Sequence, residues 1–435
     1  MLFYEILFSA LCAVQSNVGL WLFKAPFWNW FLFAACLVFL NLLPFLLSKN
    51  IHSGRLRVCR HGVFCLRGFL WSLPVGVVYH IALFVRGKNI KTVLSSALVL
   101  AIVEFTLFWN GMISVYLSSV QLGIHHRAVG FLLGLVPVFN LFMLVRIIRI
   151  VDREVRFEEQ KNRLNEQRRN ERICTTRYPI LLVHGVFFRD FKFPPYWGRI
   201  PSELQKNGAQ VFFGEHSSAL SVADSGEELC KRIEAICRDV KCEKVNVIAH
   251  SKGGLDIRAA AALCPQKIAS ITTINTPHRG CQFADYLLKK VPPSVQEGIA
   301  KAYNAAALKL GDPAPDFLSS VRDLTAKNTA EFGALHPLPQ GVFCRSVGSV
   351  LKIPAGGKFP LNFTYRLAKH FDGANDGLVA VSSFSWGEDF KLLTPVGRRG
   401  ISHGDVIDLN RENIEGFDVR EFYVALVSDL KNRGF

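Results

Sequence analysis

The sequence predicts an α/β fold, a mostly parallel sheet with helices on both faces, preceded by an α-helical transmembrane bundle. Three observations carry this. Near-continuous apolar runs extend from Met1 to about Val151. From Tyr178 onward, short apolar strands alternate with amphipathic helices, the pattern of a parallel sheet covered on both sides. Between one such strand and helix lies a serine-bearing turn, Ala249-His250-Ser251-Lys252-Gly253-Gly254. With 435 residues, half of them hydrophobic, the chain is expected to divide into membrane helices over 1–150, a charged helical linker over 151–177 and a catalytic domain over 178–435.

Charge divides the same way. Residues 1–177 hold 20 Lys/Arg against 8 Asp/Glu, and residues 178–435 hold 31 against 27. The basic excess therefore belongs to the apolar half, where it suits anionic headgroups and sets insertion topology. No soluble surface interleaves basic and aromatic residues, so nucleic acid is not an expected partner. The 11 cysteines include no CxxC pair, which argues against a zinc or redox site. Their odd, scattered arrangement fits a reducing compartment.

Five stretches suit a bilayer, which takes about 20 mostly apolar residues per span. They run near Leu2–Phe23, Phe27–Leu47, Gly68–Val85, Val93–Val120 and Ala128–Val145. The last is the cleanest, with only Asn140 strongly polar. Glu5, Gln15 and Asn17 weaken the first, so four or five spans are expected. Gly130 and Gly134 form a GxxxG that permits close helix contact, a spacing that chance also supplies. Arg67, His80 and Glu104 are costly in hydrocarbon and are expected to pair internally or sit at span ends. Five spans, with Arg86, Lys88, Lys91 and the run from Arg146 inside, place the catalytic half in the cytoplasm. The basic loop at 48–67 opposes that orientation. Residues 151–172 lack an apolar stripe but carry opposite charges four apart, Asp152 with Arg156 and Glu159 with Arg163, and read as a solvated helical stalk.

In the second half, 177–185, 209–216, 244–251 and 267–277 read as strands, and 196–207, 224–239 and 252–264 as helices. The turn at Ser251 has the context of a nucleophile elbow, in which small residues two before and two after the serine, Ala249 and Gly253, let strand and helix approach. The helix that follows points free N–H groups at a developing oxyanion. One donor is expected at the backbone N–H of Lys252, whose side chain is expected to face solvent. The second is expected at Val186 N–H, after Gly185, which permits tight approach. His184 is read as structural. For a general base, only His403 follows the candidate acids in the order Ser, Asp, His. Asp376, at a turn before the apolar run Gly377-Leu378-Val379-Ala380-Val381, read as a strand, is the orienting acid, and Asp372 is held in reserve. His250, next to Ser251 in a strand, should point the other way.

The stretches YPILLVHGV, YWGRIPSELQKNGAQVF, KVNVIAHSKGG, INTPHRG, ANDGLV and SHGDVIDL together resemble the bacterial triacylglycerol lipases of family I, over about 178–435. The resemblance implies an α/β-hydrolase fold and a carboxylic ester hydrolase acting on lipid esters through Ser251, Asp376 and His403, with oxyanion donors at Val186 and Lys252. It also implies a lid or cap over about 281–338, whose amphipathic helices fit a flap that opens on lipid. In this family a structural calcium is held by a carboxylate two residues after the catalytic histidine, a place that Asp405 fills. No partner carboxylate is evident, since Asp372 lies too near Asp376, so no cofactor is expected. A lipid acyltransferase using the same triad, and a catalytically inactive membrane scaffold, are the alternative readings.

Overall fold

The computed structural model describes residues 2–134, 136, 139–186, 195–309, 312 and 315–435. The chain forms two compact units, Met1–Glu166 and Gln167–Phe435.

The first unit consists of helices α1 (Leu2–Ser16), α2 (Gly19–Leu22), α3 (Trp28–Leu47), α4 (Gly54–Val85), α5 (Ile90–Ser118), α6 (Gly123–Gly134) and α7 (Phe139–Gln167), the last ending one residue into the second unit. Among the described residues three helices, α3, α4 and α5, are long and apolar enough to cross a membrane. The first expected span is a shorter apolar helix with a further turn behind it. The fifth, Ala128–Val145, is not one helix: α6 ends at Gly134, Val136 lies outside both helices, and α7 begins at Phe139.

The stalk expected at 151–172 is also corrected. α7 runs through Gln167 and buries Val151, Asp152, Glu154, Val155 and Glu159. Its polar face is inward because α1 and α4 supply counter-charges. Arg60 donates to Asp152 and Glu5 at 2.7 Å each. Arg67 donates to the other oxygens of the same two carboxylates at 2.7 and 2.8 Å. Glu154 receives Arg55 and the Ser119 hydroxyl. A stripe of charges reads as solvated from one helix alone; it becomes a buried seam when the neighbouring helix carries the opposite sign. The other ionisable groups inside the spans are likewise partnered: Ser16 donates to Glu104 at 2.8 Å, and His80 meets Ser96 Oγ at 3.0 Å.

Close helix contact falls elsewhere than the GxxxG. A Cβ on Gly62 of α4 would lie 2.9 Å from the Gly111 carbonyl of α5, and one on Gly111 would lie 3.1 Å from the Gly62 carbonyl. Gly130 abuts Tyr116, but a Cβ on Gly134 would meet nothing within 4 Å.

The second unit is built on β1 (Ile180–Val183), α8 (Ile200–Lys206), β2 (Val211–Phe213), α9 (Val222–Asp239), β3 (Val245–His250), α10 (Gly253–Leu263) and β4 (Ile268–Ile274). These are followed by α11 (Gln282–Lys290), α12 (Pro293–Lys309), α13 (Phe317–Arg322), α14 (Ala326–Leu335), β5 (Phe343–Ser349), α15 (Leu361–Asp372), β6 (Asp389–Leu393) and α16 (Val419–Asn432). The six strands form one parallel sheet in the order β2-β1-β3-β4-β5-β6. β1, β3 and β4 are buried throughout, as in a parallel sheet covered on both faces. Alternation along β1 feeds two cores. Ile180 and Leu182 join Ile248, Trp197, Tyr423 and Val427 on the face covered by α8 and α16. Leu181 and Val183 join Val247, Leu229, Ile233 and Ile257 under α9 and α10. The run 377–381 is not a strand. It forms a tight turn closed by an Asn375–Ala380 bridge and leads into a short 3-10 turn at Val381–Ser383.

Replacing Asp152 by Leu leaves Arg60, itself buried, with one counter-charge fewer and is expected to destabilise the first unit by about 3–5 kcal/mol. The check is the thermal unfolding midpoint of purified protein in detergent micelles; a midpoint equal to that of the wild type would show that the seam is not holding the unit together.

Candidate active site

The site grows from the end of β3. His250 is the last strand residue, and Ser251 turns the chain with φ +57°, the left-handed region that non-glycine residues rarely enter. Ser251 N–H donates to the Ile274 carbonyl of β4 at 3.0 Å, tying the turn to the neighbouring strand. α10 then begins at Gly253. A Cβ there would sit 2.2 Å from the His184 carbonyl, and one on Gly254 would sit 2.0 Å from Thr276 Oγ1. Only glycine permits that approach. Gly185 likewise lies so close that a Cβ would be 2.8 Å from Ser251 Cβ, which brings the Gly185–Val186 peptide beside the serine.

Three distant segments converge on Ser251. Its Oγ lies 3.0 Å from His403 Nε2, and His403 Nδ1 lies 2.6 Å from Asp376 Oδ2. Asp376 is fully buried, and its carboxyl oxygens are met by directed donors. Oδ1 accepts the backbone N–H groups of Leu378 (2.9 Å) and Val379 (2.8 Å), and Oδ2 accepts Asn275 Nδ2 at 2.6 Å. The His403 N–H also donates to the Asp376 carbonyl at 2.8 Å, so the two residues are joined by backbone as well as side chain. Asp372, the reserve acid, lies at the end of α15, where it accepts from Gln282 N–H, outside this array.

Sequence reasoning missed three contributors. Asn275, in a left-handed conformation at the end of β4, donates to both Asp376 and Ser349; its only sequence signal is a place just after an apolar strand. His250 points away from Ser251 as strand alternation requires, yet its ring lies 4.5 Å from that of His403. Burial, reinforced by the His403 charge, holds His250 far below the usual histidine range, so it stays neutral when its neighbour takes a proton. The Tyr196 hydroxyl accepts from Gly185 N–H at 2.9 Å and lies 2.6 Å from His250 Nδ1. Lys252, expected in solvent, is 1% exposed, with Nζ donating to Asp256 at 2.6 Å. The ammonium is held by a carboxylate one turn along α10 and by the Ser225 hydroxyl of α9.

An apolar cavity of about 290 Å³ opens at Ser251 and is lined by Pro277, Cys281, Leu288, Val291, Leu318 and Leu378 among others. Its outer walls come from α11, α12 and α13. Val295 and Ile299, one turn apart on α12, are about half exposed.

Asp405 stands two residues beyond His403, but its oxygens are already engaged. Arg399 donates to both, at 2.7 and 3.1 Å, and Ser402 N–H donates at 2.8 Å. The same guanidinium reaches Glu412 at 3.0 Å. A fixed side-chain cation thus sits where an ion would have to bind, and these residues do not fit calcium. Among the described residues no group of three His, Cys, Asp or Glu side chains is arranged to hold a metal. Incubation with a chelator is therefore expected to leave activity and melting temperature unchanged. Arg399→Ala, which strips the buried Asp405 of its partner, is expected to cost about 1–3 kcal/mol. A chelator-induced fall in melting temperature, reversed by calcium, would contradict this.

Comparison with known proteins adds the following. A family model described as the alpha/beta hydrolase fold matches residues 178–318. The chain is 37% identical over 177 residues to a triacylglycerol lipase of Pseudarthrobacter phenanthrenivorans, a match covering 38% of this chain and 55% of that protein. It is also 37% identical over 177 residues to one of Burkholderia plantarii, covering 38% of this chain and 49% of the relative. The chain thus spans about half the length of these relatives. Among solved structures, the mature lipase BlEst2 of Bacillus licheniformis aligns with a TM-score of 0.44 at 22% identity, over 57% of this chain and 91% of that one.

Proposed function

We propose, from the premise that residues 178–435 are an α/β hydrolase, that the chain is a membrane-anchored serine ester hydrolase that cleaves carboxylic esters of lipids. The observation that carries this is the unbroken line Ser251 Oγ, His403 Nε2, His403 Nδ1, Asp376 Oδ2, at 3.0 and 2.6 Å, opening onto an apolar cavity. The similarity to triacylglycerol lipases and the apolar helices of the first unit support the substrate class and the anchoring.

The chemistry runs in two halves. His403 Nε2 takes the Ser251 hydroxyl proton as Oγ bonds to the ester carbonyl carbon, and Asp376 steadies the imidazolium. Charge gathers on the former carbonyl oxygen, within reach of the N–H groups of Val186 and Lys252. Collapse breaks the bond to the alcohol oxygen, which leaves with the proton from His403, and an acyl-serine remains. Water then gives its proton to His403 and attacks the acyl carbon; Oγ departs, is reprotonated, and the carboxylic acid is released. The nearly unbroken apolar lining of the cavity suits an acyl chain, since burial of each methylene favours binding by about 0.8 kcal/mol. On α12, Ile299 lines the cavity while Val295 is half exposed, which fits a flap that meets lipid on its outer face.

Labelling with a fluorophosphonate probe is expected in the wild type and absent in Ser251→Ala, together with a fall in ester turnover of about 10⁴-fold or more. Labelling that persists in the variant would remove Ser251 as nucleophile. Leu318→Trp fills part of the cavity and is expected to lower kcat/KM for long-chain p-nitrophenyl esters while sparing acetate and butyrate. An unchanged chain-length profile would place the acyl chain elsewhere. Equal turnover to free acid and to a new ester when a second alcohol is added would favour the acyltransferase reading.

A further inference from the structure

Behind the nucleophile elbow lies a buried polar cluster that the triad does not use. Lys252 Nζ donates to Asp256 Oδ1 at 2.6 Å and to Ser225 Oγ at 3.1 Å. The other Asp256 oxygen is 3.5 Å from His216 Nε2. The His216 ring stacks on that of His184, with centroids 4.0 Å apart and planes within 13°. The His216 carbonyl lies 3.1 Å from His184 Nε2, and the Gly185 carbonyl lies 2.9 Å from His184 Nδ1. None of Lys252, Asp256, His216 and His184 is more than 3% exposed.

Such a cluster is an expensive way to fill space. Withdrawing an ammonium and a carboxylate from water costs several kcal/mol per ion, and an apolar pair of equal volume is often as stable or more so. The dryness shows in Asp256, whose carboxyl burial pushes up to about 7 against the pull of Lys252. What the cluster provides lies at its two ends. Both carbonyls only accept, so a neutral His184 donates to one of them at a time, and in its Nδ1–H form that one is the Gly185 carbonyl. That carbonyl belongs to the same planar peptide as the Val186 N–H, and fixing one fixes the direction of the other. The bond also polarises the amide and strengthens its N–H as a donor. At the far end, the anchored side chain belongs to Lys252, whose own backbone N–H follows the nucleophile.

We propose that Lys252, Asp256, His216 and His184 are positioning residues that hold both oxyanion donors, Val186 N–H and Lys252 N–H, in one rigid frame. The proposal rests on the hydrolase reading of Ser251. A preorganised pair of donors pays no reorganisation cost as charge develops on the substrate oxygen, and small misplacements of such groups are costly to rate. The cluster acts on the transition state through peptide planes alone, because none of its side chains lines the cavity at Ser251.

The test uses the full chain in detergent micelles, with Asp256→Asn, Lys252→Met and the double variant Lys252→Met/Asp256→Leu. Functional Ser251 is titrated with a fluorophosphonate. Then kcat per titrated site and KM are measured on a p-nitrophenyl ester, with the inhibition constant of a trifluoromethyl ketone, whose adduct places an oxyanion in the same position. Expected are a fall in kcat per site of about 10–100-fold, less than the 10²–10³ that follows loss of a whole donor, and a KM within about threefold of wild type. The inhibition constant is expected to rise in proportion to the fall in kcat/KM. A cluster that only props the fold would lower the titratable fraction or the melting temperature while leaving kcat per site and inhibitor affinity unchanged, and that result overturns the proposal. The double variant removes both charges and retains apolar volume, so it remains measurable where a lone buried charge unfolds the protein; wild-type kcat per site in it is equally fatal. Absence of Ser251-dependent labelling in the wild type would sink the hydrolase reading, and the frame with it.

Discussion

The left-handed turn at Ser251 is the constraint around which the second unit is arranged. A non-glycine residue with φ +57° carries about 1–3 kcal/mol of backbone strain and persists only where its surroundings over-determine it. Here they do. The Ser251 N–H is spent on the Ile274 carbonyl, so the turn cannot relax without breaking the edge between β3 and β4. Gly253 and Gly254 let α10 press on the His184 carbonyl and on Thr276, so the helix cannot back away without opening voids on both sides. The parallel sheet supplies the rigidity. β3 lies between β1 and β4, buried on both faces, and strain at its end is borne by the most heavily packed strands of the molecule.

The rest of the site follows from how buried charge is satisfied. The buried Asp376 carboxyl accepts from Asn275 and from the N–H groups of Leu378 and Val379, the latter two being backbone donors that a tight turn supplies at no side-chain entropy cost. That turn is why 377–381 is not a strand: the N–H groups that would have joined a ladder are used on a carboxylate. The same economy appears past His403. Arg399 links Asp405 to Glu412 and so closes the loop that carries the base. Because the cation is part of the chain, its geometry does not depend on ion concentration.

How much of this was legible in the sequence depends on the range of each interaction. β1, β3, β4, the elbow and the glycines around it are set by residues within a few positions of one another, and periodicity and turn chemistry were enough to locate them. His403 and Asp376 were legible by chain order and by elimination among twelve histidines. Asn275 was not, because its role is defined by a partner 101 residues away and nothing about an asparagine after a strand announces a carboxylate above it. Lys252 misled for the same reason: a lysine at the start of a helix ordinarily snorkels to water, and only the packing of α9 over α10 closes that route. α7 is the largest case. Its charges form i,i+4 pairs that would stabilise a solitary helix, and that local reading was correct for Asp152 with Arg156. It was incomplete because Asp152 also serves Arg60 and Arg67, more than 80 residues away.

The same correction changes the meaning of net charge in the first unit. A basic excess over residues 1–177 suggests a membrane surface, but the argument must count only charges not already spent inside the fold. Arg60 and Arg67 face Glu5 and Asp152, Arg55 faces Glu154, and Arg156 and Arg163 face acids one turn back on α7. Arg57 and Arg127 are committed to backbone carbonyls. The exposed guanidiniums of Arg146, Arg149 and Arg153, at i, i+3 and i+7 on one side of α7, border an open apolar crease with Phe142 and Val145. Their charge is exposed beside apolar surface, the combination that anionic headgroups select.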